Sequence, residues 1–133
     1  MARAEVFASG VLLDTGILLD YLAGDPRAQK AMAAHTYRSI SVVSWLEIMA
    51  ACPPPAVEAT RGFLRTLERF SINESIADEA LRLMTHTQTL PLNTALTWAT
   101  AKANHLRFLT TNCKAVNKAD PGVVIAYEAT EIQ

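Results

Sequence analysis

Hydrophobic positions along the chain switch repeatedly between a run-like and a helical spacing. Val11-Leu12-Leu13 is a short apolar run that ends in Asp14, and Ile17, Leu18, Tyr21 and Leu22 then recur at helical intervals up to Gly24. The pattern predicts a buried strand followed at once by a helix, with Asp14 at the junction. Asp25-Pro26 supplies the cap and first-turn proline of a second helix through about residues 32 to 35. Ser39-Ile40-Ser41-Val42-Val43 alternates as a strand does, and Ser44-Trp45-Leu46-Glu47 opens a helix that stops before Pro53-Pro54-Pro55. From residue 56 to about 67, Val57, Phe63, Leu64 and Leu67 form an apolar stripe, while Arg61, Arg65 and Arg69 fall four apart on another face. A short strand over 70–72 is expected next. The helix that follows carries Ile76, Ala80, Leu81 and Leu83, is capped by Asn73 or by Ser75 with Asp78, and fades near residues 85–89. Beyond Pro91, Asn93 or Thr94 caps a helix that runs through Trp98 to about Asn104. Residues 107–110 read as a strand ending in the polar loop Thr111-Asn112-Cys113-Lys114, and 123–126 as a last edge strand.

Short strands alternating with helices predict an α/β fold of three layers, with a central, mainly parallel sheet of about five strands and helices on both faces. The length of 133 residues suits one domain with a single core, and no linker, repeat or low-complexity tract divides residues 1–133. Twelve Lys and Arg against 13 Asp and Glu give a net charge of −1, so any basic surface must be local. Cys52 and Cys113 lie far apart and outside any metal-ligand spacing, which suits reduced thiols in a cytosolic protein. The first ten residues carry an acid and lack the apolar core of a signal peptide, and no apolar run reaches the roughly 18 residues of a membrane helix. A soluble, cytoplasmic protein is expected.

In a parallel sheet, residues just beyond the strands converge on one edge although they are distant in sequence. That places Asp14, Glu47 and the cluster Thr110, Thr111 and Asn112 together, with Thr15 and Ser44 beside them. Hard oxygen ligands gathered there suit Mg²⁺ or Mn²⁺, which activate phosphodiester hydrolysis. Both acids also have local explanations: Asp14 is well placed as a helix cap, and Ser44-x-x-Glu47 spells a capping box. The argument for chemistry is that two acids recur at corresponding ends of two strands. A Rossmann unit is excluded because Thr15-Gly16-Ile17-Leu18 lacks the glycine-rich turn, and a receiver domain because paired acids do not follow the first strand.

The same residues resemble those of PIN domains of the VapC type, the toxin ribonucleases of bacterial toxin–antitoxin pairs. The stretch from Leu12 to Leu22 is similar to the family's first motif, and Ser41-Val42-Val43-Ser44-Trp45-Leu46-Glu47-Ile48 to the second. The third is matched by Leu90-Pro91-Leu92-Asn93-Thr94-Ala95 and the Ala-rich helix after it, and the fourth by Phe108-Leu109-Thr110-Thr111-Asn112-Cys113-Lys114. The resemblance implies a PIN fold and a Mg²⁺- or Mn²⁺-dependent endoribonuclease. Asp14 and Glu47 would be its metal ligands, Asn112 a neutral ligand or water anchor, and Thr15, Ser44, Thr94 and Thr110 supporting residues. The partners implied are RNA, for which Lys114 is the candidate contact, a small antitoxin protein, and a second copy of the chain docked through the apolar faces of its early helices. No membrane partner is implied.

Departures from the family pattern qualify this expectation. Thr94 stands where the family places an aspartate, Gly16 where Asn is commoner, and Ala115-Val116 where Asp-Phe often follows. Two carboxylates match one divalent cation, so weak metal binding and slow or absent hydrolysis are expected. The competing reading is a degraded PIN domain that binds RNA or protein without cleaving. Of the remaining features, Arg61, Arg65 and Arg69, with Lys102, Arg107, Lys114 and Lys118, suit either a solvated surface or a local RNA-binding patch. Trp45 and Trp98 suit a core or a dimer face, and His35, His86 and His105 suit surface or helix-end roles.

Overall fold

A computed structural model describes residues 10–128. The stretch read as free of a targeting segment lies almost wholly outside them. Among the described residues, no helix is long and apolar enough to cross a membrane.

Five short strands form one sheet: β1 (Val11–Leu13), β2 (Arg38–Ser41), β3 (Glu68–Phe70), β4 (Arg107–Thr110) and β5 (Val123–Ile125). Their order is β3-β2-β1-β4-β5 and every pairing is parallel, as the strand–helix alternation predicts. Six helices cover it: α1 (Thr15–Leu22), α2 (Pro26–Ala33), α3 (Val42–Ala51), α4 (Val57–Leu64), α5 (Glu74–His86) and α6 (Leu92–Ala103). Successive side chains of β1 point to opposite faces, so Val11 and Leu13 join Ile17, Leu18, Met32, Ile48 and Leu64 in one core, under α1 to α4. Leu12 and Phe108 join Ile76, Ala80, Ala95 and Trp98 in the other, under α5 and α6. The result is a three-layer α/β fold. Trp98 is core, stacked on Phe108, whereas Trp45 is only partly buried against the first cluster.

Several boundaries differ from the sequence reading, each for a local reason. Strand β2 stops at Ser41, whose hydroxyl accepts from the Ser44 amide as N-cap, so Val42 and Val43 begin α3 rather than end a strand. Their β-branching imitated strand alternation. Helix α4 ends at Leu64 and β3 spans Glu68–Phe70, not 70–72, which moves Arg69 from the helix stripe onto the edge strand. Helix α5 is capped by Asn73 and runs on to His86; the Ser75 alternative falls inside the helix. Helix α6 starts at Leu92 behind Pro91 with no side-chain cap, so neither Asn93 nor Thr94 caps it. Its other end closes with the Leu106 amide on the Ala101 carbonyl and His105 in the left-handed region at φ 55°.

Two glycines set opposite expectations for stability. A Cβ added to Gly10 would lie 2.8 Å from the Tyr37 carbonyl oxygen, whereas one added to Gly62, within α4, meets nothing within 4 Å. Gly10→Ala should therefore lose about 1–3 kcal/mol in urea unfolding, as overpacking does. Gly62→Ala should gain roughly 0.5–1 kcal/mol, since it relieves the entropic cost of a helical glycine.

Candidate functional site

The sheet order reverses between β1 and β4, because the chain builds outward through β2 and β3 on one side and through β4 and β5 on the other. Such a switch point leaves a crevice at the strand C-termini. Asp14, first after β1, and Thr110, last of β4, meet there: the Asp14 amide donates to the Leu109 carbonyl at 2.9 Å, and the buried Thr110 hydroxyl donates to Asp14 Oδ2 at 2.6 Å. The other carboxylate oxygen, Oδ1, accepts from the Thr15 amide at 2.8 Å. Asp14 thus caps α1 and lines the crevice with the same carboxyl group.

Glu47 has no capping role. With Ser41 as N-cap, Glu47 lies well inside α3, beyond the first turn that a capping box requires. Its Oε1 accepts from the Thr15 hydroxyl at 2.7 Å and its Oε2 from the Asn93 side-chain amide at 2.7 Å. Thr15 has one hydroxyl proton and gives it to Glu47, so its 2.8 Å contact with the buried Ser44 hydroxyl is one in which Ser44 donates. Thr15 is the hinge of the arrangement: its amide fixes one acid and its hydroxyl the other.

These groups line a cavity of about 750 Å³, together with Gly16, Leu19, Thr94, Thr97, Thr111, Asn112, Cys113, Lys114 and Glu128. All three residues read from sequence as its centre, Asp14, Glu47 and Asn112, reach it, as do Thr15, Thr94 and Lys114. Ser44 and Thr110 sit one layer behind. Asn112 is held by its own loop, with its amide on the Thr110 hydroxyl and its Oδ1 accepting from the Ala115 amide. The histidines do not line this cavity; His86 and His105 stand at helix ends, with His86 Nδ1 on the Arg82 carbonyl. A Cβ on Gly16 would make an ordinary contact with Thr111, so no steric rule demands glycine there.

Sequence reasoning missed Asn93, weighed only as a cap, and Thr97, whose hydroxyl lies 3.3 Å from that of Ser41. Thr97 follows Thr94 by about one helical turn, a signal that could have placed both on the cavity-facing side. Cys113 also lines the cavity and, like Cys52, is a free thiol.

Electrostatics follow from the geometry. Burial pushes the Asp14 carboxyl above its ordinary value, the bonds from Thr110 and Thr15 pull it down, and the charge of Glu47 pushes it up. Asp14 and Glu47 bring two carboxylates to the inner part of the cavity, with Thr94 beside them, and the exposed Glu128 adds a third carboxylate to the lining. Among the described residues, no three of His, Cys, Asp and Glu are grouped to hold a metal ion. Two carboxylates lining one cavity form a negative well that suits one divalent cation completed by neutral oxygens and water.

Comparisons with known proteins show the family and the fold. The sequence pattern of the PIN domain family matches residues 11–120. A chain of a toxin–antitoxin complex from Klebsiella pneumoniae is 32% identical, with 90% of this chain and 99% of that one covered at a TM-score of 0.83. DNA-bound VapBC from Salmonella typhimurium shares the fold at 16% identity and a TM-score of 0.72, over 87% of this chain and 96% of that one. VapBC2 from Rickettsia felis, bound to a promoter DNA fragment, does so at 17% and 0.68, over 86% and 96%. No curated protein matches the chain.

The raised Asp14 value sets the sign of one pH effect. A carboxyl whose folded pKa exceeds its unfolded value favours the native state when protonated, so its contribution to stability is lost as pH rises through the folded pKa. In chelator, Asp14→Asn should unfold at higher temperature than wild type at neutral pH, and the gap should close as pH falls towards the unfolded value. Thr110→Val should push the Asp14 carboxyl further up in an NMR titration, and Glu47→Gln should bring it down.

Proposed function

The chain belongs to the PIN domain family, and we propose that it is the toxin of a toxin–antitoxin pair, a cytoplasmic endoribonuclease dependent on Mg²⁺ or Mn²⁺. The observation that carries this reading is the pair Asp14 and Glu47, delivered by different strand–helix units to one cavity and oriented by one residue, Thr15. Asp14 and Glu47 would hold a single divalent cation, with Asn112 as a neutral neighbour. When bound, that ion supplies positive charge against a phosphoryl oxygen of the scissile linkage.

The chain's own residues do the rest. Thr110 and the Thr15 amide favour the ionised form of Asp14 and so oppose the effect of its burial, and the relay from Ser44 through Thr15 orients Glu47. Asn93 clamps the other Glu47 oxygen and thereby ties the start of α6 to α3. Lys114, on the rim, would meet an RNA phosphate. The Klebsiella pneumoniae complex supports an antitoxin partner. Leu19 and Leu22, 47% and 40% exposed on α1, support a homodimer contact through an early helix. The whole chain is proposed to be one domain.

Thr94 favours a second reading, a domain that captures RNA or antitoxin without cleaving, because it puts a neutral residue where the family pattern has an aspartate. Cleavage of RNA by purified protein in Mn²⁺, reduced by at least about a hundredfold in Asp14→Asn and in Glu47→Gln, would decide for the nuclease. Binding of RNA or of the antitoxin with no cleavage by wild type would decide for the second reading. Calorimetric titration should show Mn²⁺ bound about tenfold or more tightly by Thr94→Asp than by wild type; equal, tight binding by both would make the missing acid irrelevant.

A further inference from the structure

Away from the catalytic cavity, two arginines converge on one tryptophan and a third lines the groove beside it. The Arg69 guanidinium, from edge strand β3, lies 4.5 Å from the centre of the Trp45 ring, and that of Arg61, from α4, lies 5.8 Å from it. Arg65, one turn beyond Arg61, joins them in lining a groove of about 360 Å³ floored by the buried Leu64 and Leu67. Among the described residues none of the three forms an ion pair, although the ion pairs present engage Arg27, Arg82 and Lys102. The nearby acids are turned elsewhere or stay apart: Glu68 accepts from the Tyr37 hydroxyl, and Glu58 is exposed on α4 without a salt bridge. Three uncompensated cations on a chain of net charge −1 need a reason.

Stacking on an indole supplies half of it. A guanidinium placed over an aromatic face keeps its N–H donors for other partners, and those donors can grip a phosphate in bidentate fashion. The other half is position. Trp45, Leu46 and Glu47 follow one another around α3, so the groove and the catalytic cavity lie on opposite sides of one helix with Leu46, 55% exposed, between them. Arg61 and Arg65 are one turn apart, ~6 Å along the axis, comparable to the step between successive phosphates of an extended strand.

We propose that the Trp45–Arg61–Arg65–Arg69 groove is a second contact for single-stranded RNA, gripping backbone phosphates of a strand that crosses α3 from the reaction centre. This inference rests on RNA being the substrate. It makes length a determinant: RNA that reaches over α3 is held at two points, and a fragment confined to the cavity at one.

The test is fluorescence anisotropy of labelled single-stranded RNA with full-length protein carrying Asp14→Asn, so that the probe survives. Adding Arg61→Gln, Arg65→Gln and Arg69→Gln should weaken binding by about tenfold or more at low salt. It should also flatten the dependence of log K on log salt by about 2, the effect of losing three phosphate contacts on a single strand. The corresponding triple lysine variant, which keeps the charge, should retain most of the slope, and circular dichroism checks that each variant folds. Unchanged affinity and slope in the glutamine variant would overturn the proposal, as would displacement of an acidic peptide but not of RNA from this groove. A parallel cleavage assay separates the two readings. If wild type cleaves RNA in an Asp14-dependent way while the glutamine variant binds long RNA as before, only the second contact falls. If wild type neither binds nor cleaves RNA, the nuclease reading falls with it.

Discussion

A carboxylate placed at the reversal point of a parallel sheet is costly to keep charged, and the architecture of this chain is arranged around that cost. Asp14 sits where β1 gives way to α1, beside the last residue of β4, and partial burial favours its protonated form. Two donors oppose this: the Thr110 hydroxyl and the first amide of α1. Both arrive from elements fixed by the sheet, so the register of Leu13 with Leu109 is what delivers the Thr110 hydroxyl to the carboxyl group. A shift of one residue in that pairing would turn Thr110 to the opposite face.

Glu47 is a different kind of acid. It lies within a helix rather than at a strand end, and it reaches the crevice only because Thr15 and Asn93 hold it from two sides. The two carboxylates are therefore coupled through a shared threonine more than through the sheet. That coupling brings like charges together with the neutral Thr94 beside them, which is the physical content of the Thr94 departure. A site of this kind trades folding stability for electrostatic potential, as functional sites commonly do.

The sheet, its parallel sense and the alternation of layers were legible because short apolar runs and helical stripes differ in period. Asp14, Thr15, Glu47 and Asn112 could be named because residues after parallel strands must converge, and Thr94 through the resemblance to the third PIN motif. What stayed hidden depended on exact ends of elements. Val42 and Val43 read as strand, which hid Ser41 as the cap and gave Glu47 a capping role it does not have. Pro91 took the start of α6, which freed Asn93 for Glu47. The arginine series read as one helix face, because nothing local says that α4 stops at Leu64 and that Arg69 reaches back to Trp45 from a strand.

The outermost strand β3 has only three residues, two of them the charged Glu68 and Arg69. Sheets end in unsatisfied backbone donors and acceptors that invite another chain to add a strand, and brief, charged borders discourage it. On that side the molecule is protected against runaway β-stacking, which disfavours strand addition there and leaves the helical and loop surfaces near β3 as the contacts for another polypeptide. Insolubility on overproduction, if it occurs, would then trace to apolar leucines such as Leu81 and Leu92 rather than to this border.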